Sequence, residues 1–278
     1  MQNAGIAALG LDWRYLAFDV DPNDLPQAIV GAAAMKYVGL NLTVPHKLLA
    51  YDLVDELDES ARTWGAVNTI RFEGRNESGE WTPMRDLPID YTGDIRTHGF
   101  NTDADAIIRA LQDDLGVEPR GAKIVLLGAG GAGRVAALRL AAEHVGELFL
   151  INRTTEKAEA VRGEIANRFP EVKASVGYPQ DGAADVVLNA TSLGLKEGDG
   201  SPLDESSFPI TRATHYYDMI YRPAETPFLR RANESGAKTA NGLGMLLYQG
   251  AAALAIWAGK EPEADVMREA LKRNVYGE

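Results

Sequence analysis

The sequence predicts an α/β chain built as two domains, the second of them a doubly wound dinucleotide fold. Two observations predict it. Short apolar runs alternate with helical stretches along most of the chain, as expected of sheets with helices on their faces. In addition, Lys123 to Leu140, KIVLLGAGGAGRVAALRL, reads as strand, glycine turn and helix in one piece. Within it, Gly128-Ala129-Gly130-Gly131-Ala132-Gly133 fits G-x-G-x-x-G. Glycine lets the backbone approach a pyrophosphate, and free N–H groups at the helix start face the anion. This predicts a Rossmann-type domain over 103–244. An N-terminal α/β domain over 1–102 precedes it, and closing helices over 245–278 return to that first domain.

The next strand bears on which dinucleotide binds. Glu147 to Ile151, ELFLI, reads as the second strand of the unit. A fold that prefers NAD usually ends this strand in Asp or Glu, which holds the ribose 2′-hydroxyl. Here the strand runs into Asn152-Arg153-Thr154-Thr155-Glu156-Lys157. A carboxylate would repel a 2′-phosphate, whereas a guanidinium attracts it and can bond it twice. The expected cofactor is NADP. A solvated basic turn opening a helix is the plainer alternative.

The elements follow in order. Residues 1–10 read as a helix stopped by Gly10, Arg14 to Val20 as a strand, and Asp21 to Met35 as a helix capped by Asp21 or Asn23. Tyr37 to Thr43 reads as a strand, and Pro45 suits a first helical position before a helix over His46 to Glu56. Ala66 to Phe72 is a further strand, and this alternation predicts a mainly parallel sheet. Residues 73–94, rich in Gly, Pro and charge, read as an extended loop or hairpin. A helix over Ala104 to Leu115 and a linker over Gly116 to Gly121 lead into the nucleotide unit. Beyond its second strand come a helix over Thr155 to Arg168 and strands at Lys173 to Val176, Asp185 to Asn189, His215 to Ile220 and Lys238 to Gly242. Helices over Met245 to Ala258 and Glu263 to Asn274 close the chain.

Composition narrows the function classes. The chain of 278 residues is long enough for one large or two medium domains with cores of their own. A net charge of −12 argues against a nucleic-acid partner, and any anionic ligand must be met by local cations. No run of 18 apolar residues spans a membrane, and residues 1–20 lack the pattern of a signal peptide. Zero cysteines exclude disulfides, thiolate metal sites and cysteine catalysis, and fit a reducing cytoplasm. His46, His98, His144 and His215 show no metal spacing, so no metal is expected. The partner is a small molecule, and a homodimer is left open.

Several turns and strands carry polar groups out of keeping with their surroundings. Lys47 follows the turn Asn41 to Pro45. Asn68 lies in an otherwise apolar strand, Asp103 closes GFNTD at a helix start, and Gln249 sits in the apolar helix GMLLYQGAAALA. Three have a plainer reading: Lys47 as a surface lysine, Asn68 as a sheet-edge amide, and Asp103, or Thr102 before it, as a helix cap. Together, beside an NADP unit, they suggest a site for a polyol or hydroxy acid.

The segments GLNLTVPHK, GAVNT, GFNTD, GAGGAG, NRTTEK, NATSLG, YDMIYRP and GLGMLLYQGA, in this order, resemble the shikimate dehydrogenase family. The resemblance covers almost the whole chain. It implies two α/β domains and reversible NADP-linked reduction of 3-dehydroshikimate to shikimate. It implies Lys47 as catalytic acid and base with Asp103 as its partner. Asn41, Thr43, Asn68, Tyr221 and Gln249 match positions that bind the substrate. Gly128, Gly130, Gly131, Ala132, Asn152, Arg153, Thr154 and Lys157 match cofactor contacts. Thr191, Met219 and Gly242 match the surroundings of the nicotinamide.

The sequence also departs from the family pattern. The family's opening strand and its S-x-S-P-x-x-H-N loop would end where Met1-Gln2-Asn3 stands, so the strand and its two serines are absent and Gln2 replaces the usual histidine. NTDG becomes Asn101-Thr102-Asp103-Ala104, and residues 73–94 are an insertion. A quinate/shikimate enzyme using NAD and a dinucleotide-binding regulator without turnover are the alternatives.

Overall fold

A computed structural model describes residues 1–196 and 198–277. The chain divides into two compact units. One comprises Met1–Asp103 with Leu247–Asn274, and the other Ala104–Leu246 with the chain from Val275 onward.

The first unit opens with helix α1 (Gln2–Ala8) and helix α2 (Leu25–Ala34). Ahead of α2 the Asp21 side chain accepts from the Asn23 amide, as its capping role predicts. Strand β1 (Gly39–Asn41), helix α3 (His46–Leu49), strand β2 (Glu56–Leu57) and helix α4 (Glu59–Trp64) follow. Strands β3 (Thr69–Arg75), β4 (Trp81–Pro83) and β5 (Ile95–Phe100) complete the sheet. Its order is β1-β3-β5-β2, with β4 also on β3. Leu25, Ile29 and Ala32 of α2 pack with Ile70 and Phe72 of β3, burying one face.

Three expectations for this unit need correction. The sheet is not mainly parallel: β3 pairs antiparallel with β1, β4 and β5, and only β2 with β5 is parallel. For β3 with β4 the reason is a short connection. At Asn76 the side-chain oxygen accepts from the Ser78 and Glu80 amides and turns the chain straight back, and only antiparallel neighbours can be joined so tightly. Residues 73–94 thus contain the hairpin β3–β4. Secondly, residues 14–20 form no strand. Tyr15 exchanges its backbone bonds with the Asn3 side chain rather than a ladder partner, and Leu16 and Phe18 stay exposed. An apolar extended run becomes a strand only where a neighbouring backbone meets it. Thirdly, the helix expected over His46 to Glu56 stops at Leu49. A 3-10 turn over Ala50–Asp52 follows, and Glu56 belongs to β2.

The second unit matches its sequence pattern closely. Helix α5 (Asp103–Leu115) leads to β6 (Lys123–Leu127), α6 (Gly131–Ala142), β7 (Glu147–Ile151), α7 (Thr155–Arg168), β8 (Lys173–Val176) and β9 (Ala184–Asn189). Strand β10 (Ala213–Asp218), helix α8 (Pro227–Glu234), which the sequence reading lacked, and β11 (Lys238–Asn241) follow. Helices α9 (Leu243–Ala258) and α10 (Ala264–Tyr276) close the chain, and Leu247–Asn274 of them belongs to the first unit. The six strands run parallel in the order β11-β10-β9-β6-β7-β8. Chain direction across the sheet reverses between β6 and β9, and in such sheets ligands bind at that crevice beyond the strands' carboxyl ends. Val125, Leu127, Val187 and Tyr216 anchor the core beneath it. Among the described residues no helix is long and apolar enough to cross a membrane.

Candidate active site and cofactor site

In the first unit, polar side chains gather where β1, β3 and β5 meet α3 and the start of α5. His46 N donates to the Thr43 carbonyl and starts α3, which brings Lys47 in its first turn. The Lys47 carbonyl accepts from the Val67 amide and ties the helix to the approach to β3. Lys47 Nζ then reaches Asp103 Oδ2 at 2.7 Å. The two side chains are 27% and 16% exposed, so the pair is shielded yet open to a small molecule. Asp103 is the first residue of α5, where helix dipole and free N–H groups favour an acid. Its own amide donates to Asn101 Oδ1, so Asn101 does the capping expected of Thr102 or Asp103.

Asn68 is buried at the entry to β3. Its Nδ2 donates to Thr102 Oγ1 at 2.9 Å, and its Oδ1 accepts from the Thr102 amide at 2.9 Å and from Thr69 Oγ1 at 3.1 Å. The oxygen and one amide hydrogen are therefore taken by the protein, and Asn68 braces the loop that presents Asp103. Asn41 Nδ2 donates to Thr69 Oγ1, and Asn41 Oδ1 accepts from the Tyr15 hydroxyl. Thr43 is exposed in the turn before α3, and Gln249 is half-buried on α9. Tyr221 lies in the second unit, exposed just past β10. Composition and spacing gave no signal for Thr69 or Tyr15, and marked Thr102 only as a candidate helix cap. Their importance comes from partners far off in sequence.

The second unit holds the glycine turn. Gly128 has φ +104°, a conformation a side chain would strain. Gly133 faces the Gly128 carbonyl so closely that a Cβ there would lie 2.1 Å from that oxygen. Around Gly130 and Gly131, by contrast, added carbons would meet nothing within 4 Å. Gly130 caps α6 with no side-chain acceptor, and the first helical bond runs from the Arg134 amide to the Gly130 carbonyl. The amides of Gly131, Ala132 and Gly133 are thus left without helical acceptors, and Gly130 and Gly131 border open space. These donors and this space fit a pyrophosphate. Asn152 Oδ1 accepts from the Ala129 amide and its Nδ2 donates to the Thr154 carbonyl, tying the turn to the end of β7.

Cations here divide into two kinds. Arg134 is held by Glu164 through two bonds, at 2.8 and 2.6 Å, and Glu164 also takes Arg168 at 3.1 Å. Arg153 and Lys157 are exposed, and neither has an ion-pair partner among the described residues. On the other side of the crevice, Thr191 donates through its amide and hydroxyl to Asn189 Oδ1. A Cβ on Gly242 would sit 2.0 Å from the Met219 carbonyl, so the backbones of Met219 and Gly242 touch.

Comparison with known proteins agrees with this architecture. Residues 1–70 match the family model described as shikimate dehydrogenase substrate binding domain. Residues 111–194 match shikimate / quinate 5-dehydrogenase, and residues 242–272 the shikimate 5′-dehydrogenase C-terminal domain. The shikimate dehydrogenase (NADP(+)) of Methanopyrus kandleri is 38% identical over 98% of this chain and 89% of its own length. The chain belongs to the shikimate dehydrogenase family. Its solved structures include the Thermus thermophilus shikimate 5-dehydrogenase in complex with NADP(H) and shikimate. That chain is 34% identical with a TM-score of 0.77, covering 98% of this chain and 92% of that one. The 5-ketofructose reductase of a Gluconobacter strain is also similar: 32% identity, TM-score 0.80, 98% and 92% covered. Within the family matches fall Lys47, Asn68, the glycine turn, Arg153, Thr191 and Gln249. Asp103, Met219 and Tyr221 lie between the matched segments.

Proposed function

We propose that this protein is an NADP-dependent shikimate dehydrogenase, reversibly reducing 3-dehydroshikimate to shikimate. The contact between Lys47 Nζ and Asp103 Oδ2 at 2.7 Å carries the reading, since it places a shielded proton donor at a polar site. NADPH, when bound, supplies the hydride to the carbonyl carbon. Lys47 donates a proton to the carbonyl oxygen as it becomes an alkoxide, and takes it back in the oxidation. Asp103 accepts from the ammonium at 2.7 Å and keeps it aimed. Asn41, Thr43, Asn68 and Gln249 supply amide and hydroxyl groups suited to the substrate's hydroxyls and carboxylate, a role the family resemblance also gives Tyr221. Asn68 and Asn41 serve first by holding Thr102, Thr69 and the Asp103 loop in place.

The first unit takes the substrate and the second the cofactor. The amides of Gly131 and Ala132, with the open faces of Gly130 and Gly131, hold the pyrophosphate; Gly128 makes the turn possible. Arg153 and Lys157 take the 2′-phosphate beside Thr154 and Asn152, because they are exposed and have no ion-pair partner among the described residues, whereas Arg134 is held by Glu164. Thr191, Met219 and Gly242 border the nicotinamide. The lack of cysteine suits a reducing cytoplasm, and light scattering decides whether the chain forms a homodimer.

The test is NADPH formation, followed by absorbance, with shikimate and NADP. Quinate, 5-ketofructose with NADPH, and NAD in place of NADP form the control arms. Turnover of shikimate with NADP supports the reading. A preference for NAD or quinate favours the broader enzyme, and turnover of 5-ketofructose alone moves the substrate to a ketose. Binding of NADPH by calorimetry without turnover of any of them would favour the regulator.

A further inference from the structure

A fully buried carboxylate in the second unit has no place in the reaction described above. Asp218, the last residue of β10, is 0% exposed, and three donors surround it. Asn189 Nδ2 donates to its Oδ1 at 2.9 Å, and the Ile220 amide donates to the same oxygen at 3.0 Å. Thr226 Oγ1 donates to Oδ2 at 2.6 Å while accepting from the Leu229 amide as the cap of α8. No cation shares this pocket among the bonds the structure records for Asp218. Burial pushes its carboxyl up from the ordinary range, against the pull of Thr226, the Ile220 amide and Asn189.

What hangs from these bonds is specific. Asn189 Oδ1 receives both the amide and the hydroxyl of Thr191, and the Asn189 carbonyl receives the Met219 amide. The Ile220 carbonyl receives the Gly242 amide. Thr191, Met219 and Gly242 therefore trace back to one carboxylate through Asn189 or Ile220. We propose that Asp218 is a positioning residue for hydride transfer: it fixes the loops after β9, β10 and β11 against the nicotinamide end of the cofactor, while the pyrophosphate and 2′-phosphate ends are held independently. This rests on the assignment of Thr191, Met219 and Gly242 to the nicotinamide. The glycine turn and Arg153 make no bond to Asp218, which is why the two ends should separate in an experiment.

The experiment uses the full chain with Asp218→Ala, Asp218→Asn and Asn189→Ala. Asp218→Ala leaves three donors facing nothing. Asparagine can keep its carbonyl on Asn189 and Ile220 and donate its amide to Thr226, so it is the rescue. Expected for Asp218→Ala is a fall in kcat of about 10- to 100-fold, the scale of a reacting group displaced by about 1 Å. The primary isotope effect with 4-deuterated NADPH should rise, because the hydride step becomes limiting. Affinity for adenosine 2′,5′-bisphosphate, which lacks the nicotinamide, should stay within about twofold, and Asp218→Asn should recover most of kcat. Where Asp218→Ala does not fold, Asn189→Ala cuts Thr191 from Asp218 and is read the same way. Unchanged kcat and isotope effect would overturn the inference. So would an equal loss of bisphosphate affinity, since that is general loosening of the unit. A wild-type chain that binds NADPH and turns over keeps the assignment of function standing whatever these variants do; one that binds no NADPH overturns both.

Discussion

Lys47 and Asp103 lie 56 residues apart in sequence and 2.7 Å apart in space, joined across the first unit by the first turns of two helices. If Lys47 donates the proton, Lys47→Ala should lower kcat far more than it raises KM. Its bond strengthens as the carbonyl oxygen gains charge, so it favours the transition state over bound substrate. General acid catalysis is worth about 10²–10⁴-fold, and the loss should fall in that range while NADPH affinity holds. A kcat within a few-fold of wild type would make Lys47 a plain surface lysine.

Asp103→Asn keeps the shape and removes the charge beside the ammonium. It should also depress kcat, and the double variant should lose less than the two single losses combined, because both serve one proton transfer. Steady-state kinetics on the four proteins measures the coupling. Full additivity would show that they act separately.

Cofactor choice can be read at Arg153. With Arg134 paired to Glu164, replacing Arg153 by Glu should weaken NADP selectively and leave NAD nearly unchanged. A lost charge-assisted bond costs about 1.5–3 kcal/mol, so the ratio of kcat/KM for NADP over NAD should fall by at least about tenfold. An equal loss with both cofactors would mean that Arg153 does not meet the 2′-phosphate.

These sites differ in how much of them the sequence discloses. The strand, glycine turn and helix at Lys123 to Leu140 are local, and their order and function follow from neighbours a few residues apart. Asp103 is visible because an acid at a helix start is a local event. Sheet pairing in the first unit is not local: β3 takes antiparallel partners on both edges, and nothing in residues 69–75 says so. Residues 14–20 have a strand's apolar run but no neighbour, a fact no window of sequence contains. Asp218 is an acid in a strand, and its partner Asn189 lies 29 residues away, so it reads as nothing more than an odd residue in YYDMI.

Glu73 supplies a test of stability rather than of turnover. It is nearly buried on β3, and Arg71, Arg96 and His98 converge on it. Burial alone would raise its carboxyl, but the hydrogen bonds from His98, Arg71 and Arg96 outweigh it and hold the group at about 2 against an ordinary 4.5. Because the folded state favours the carboxylate, this contribution is full above pH 4.5 and fades as pH falls toward 2. Glu73→Gln should destabilise the protein at neutral pH by about 1.5–3 kcal/mol, since it removes the charge that the half-buried Arg71 and Arg96 pair with. Chemical denaturation at pH 7 and at pH 3.5 should show the gap between wild type and variant narrowing. A gap that is constant with pH would remove the charge from the explanation.

The two kinds of glycine in the turn separate folding from binding. Gly133 lies against the Gly128 carbonyl, and an added Cβ would stand 2.1 Å from it with rigid backbone on the other side. Gly133→Ala must push α6 away from the turn, and such overpacking costs about 1–3 kcal/mol. Gly130 has φ −77°, open to any residue, and free space where its Cβ would go. Gly130→Ala should leave the melting temperature nearly unchanged. The same methyl would stand in the space assigned to the pyrophosphate, so NADPH should bind at least about tenfold more weakly, or about 1.4 kcal/mol. Gly133→Ala should lose both stability and affinity. Calorimetry with NADPH beside thermal melting reads the two together. If Gly130→Ala bound NADPH as wild type does, the phosphates would have to lie elsewhere, and the cradle beside Gly131 and Ala132 would not be their site.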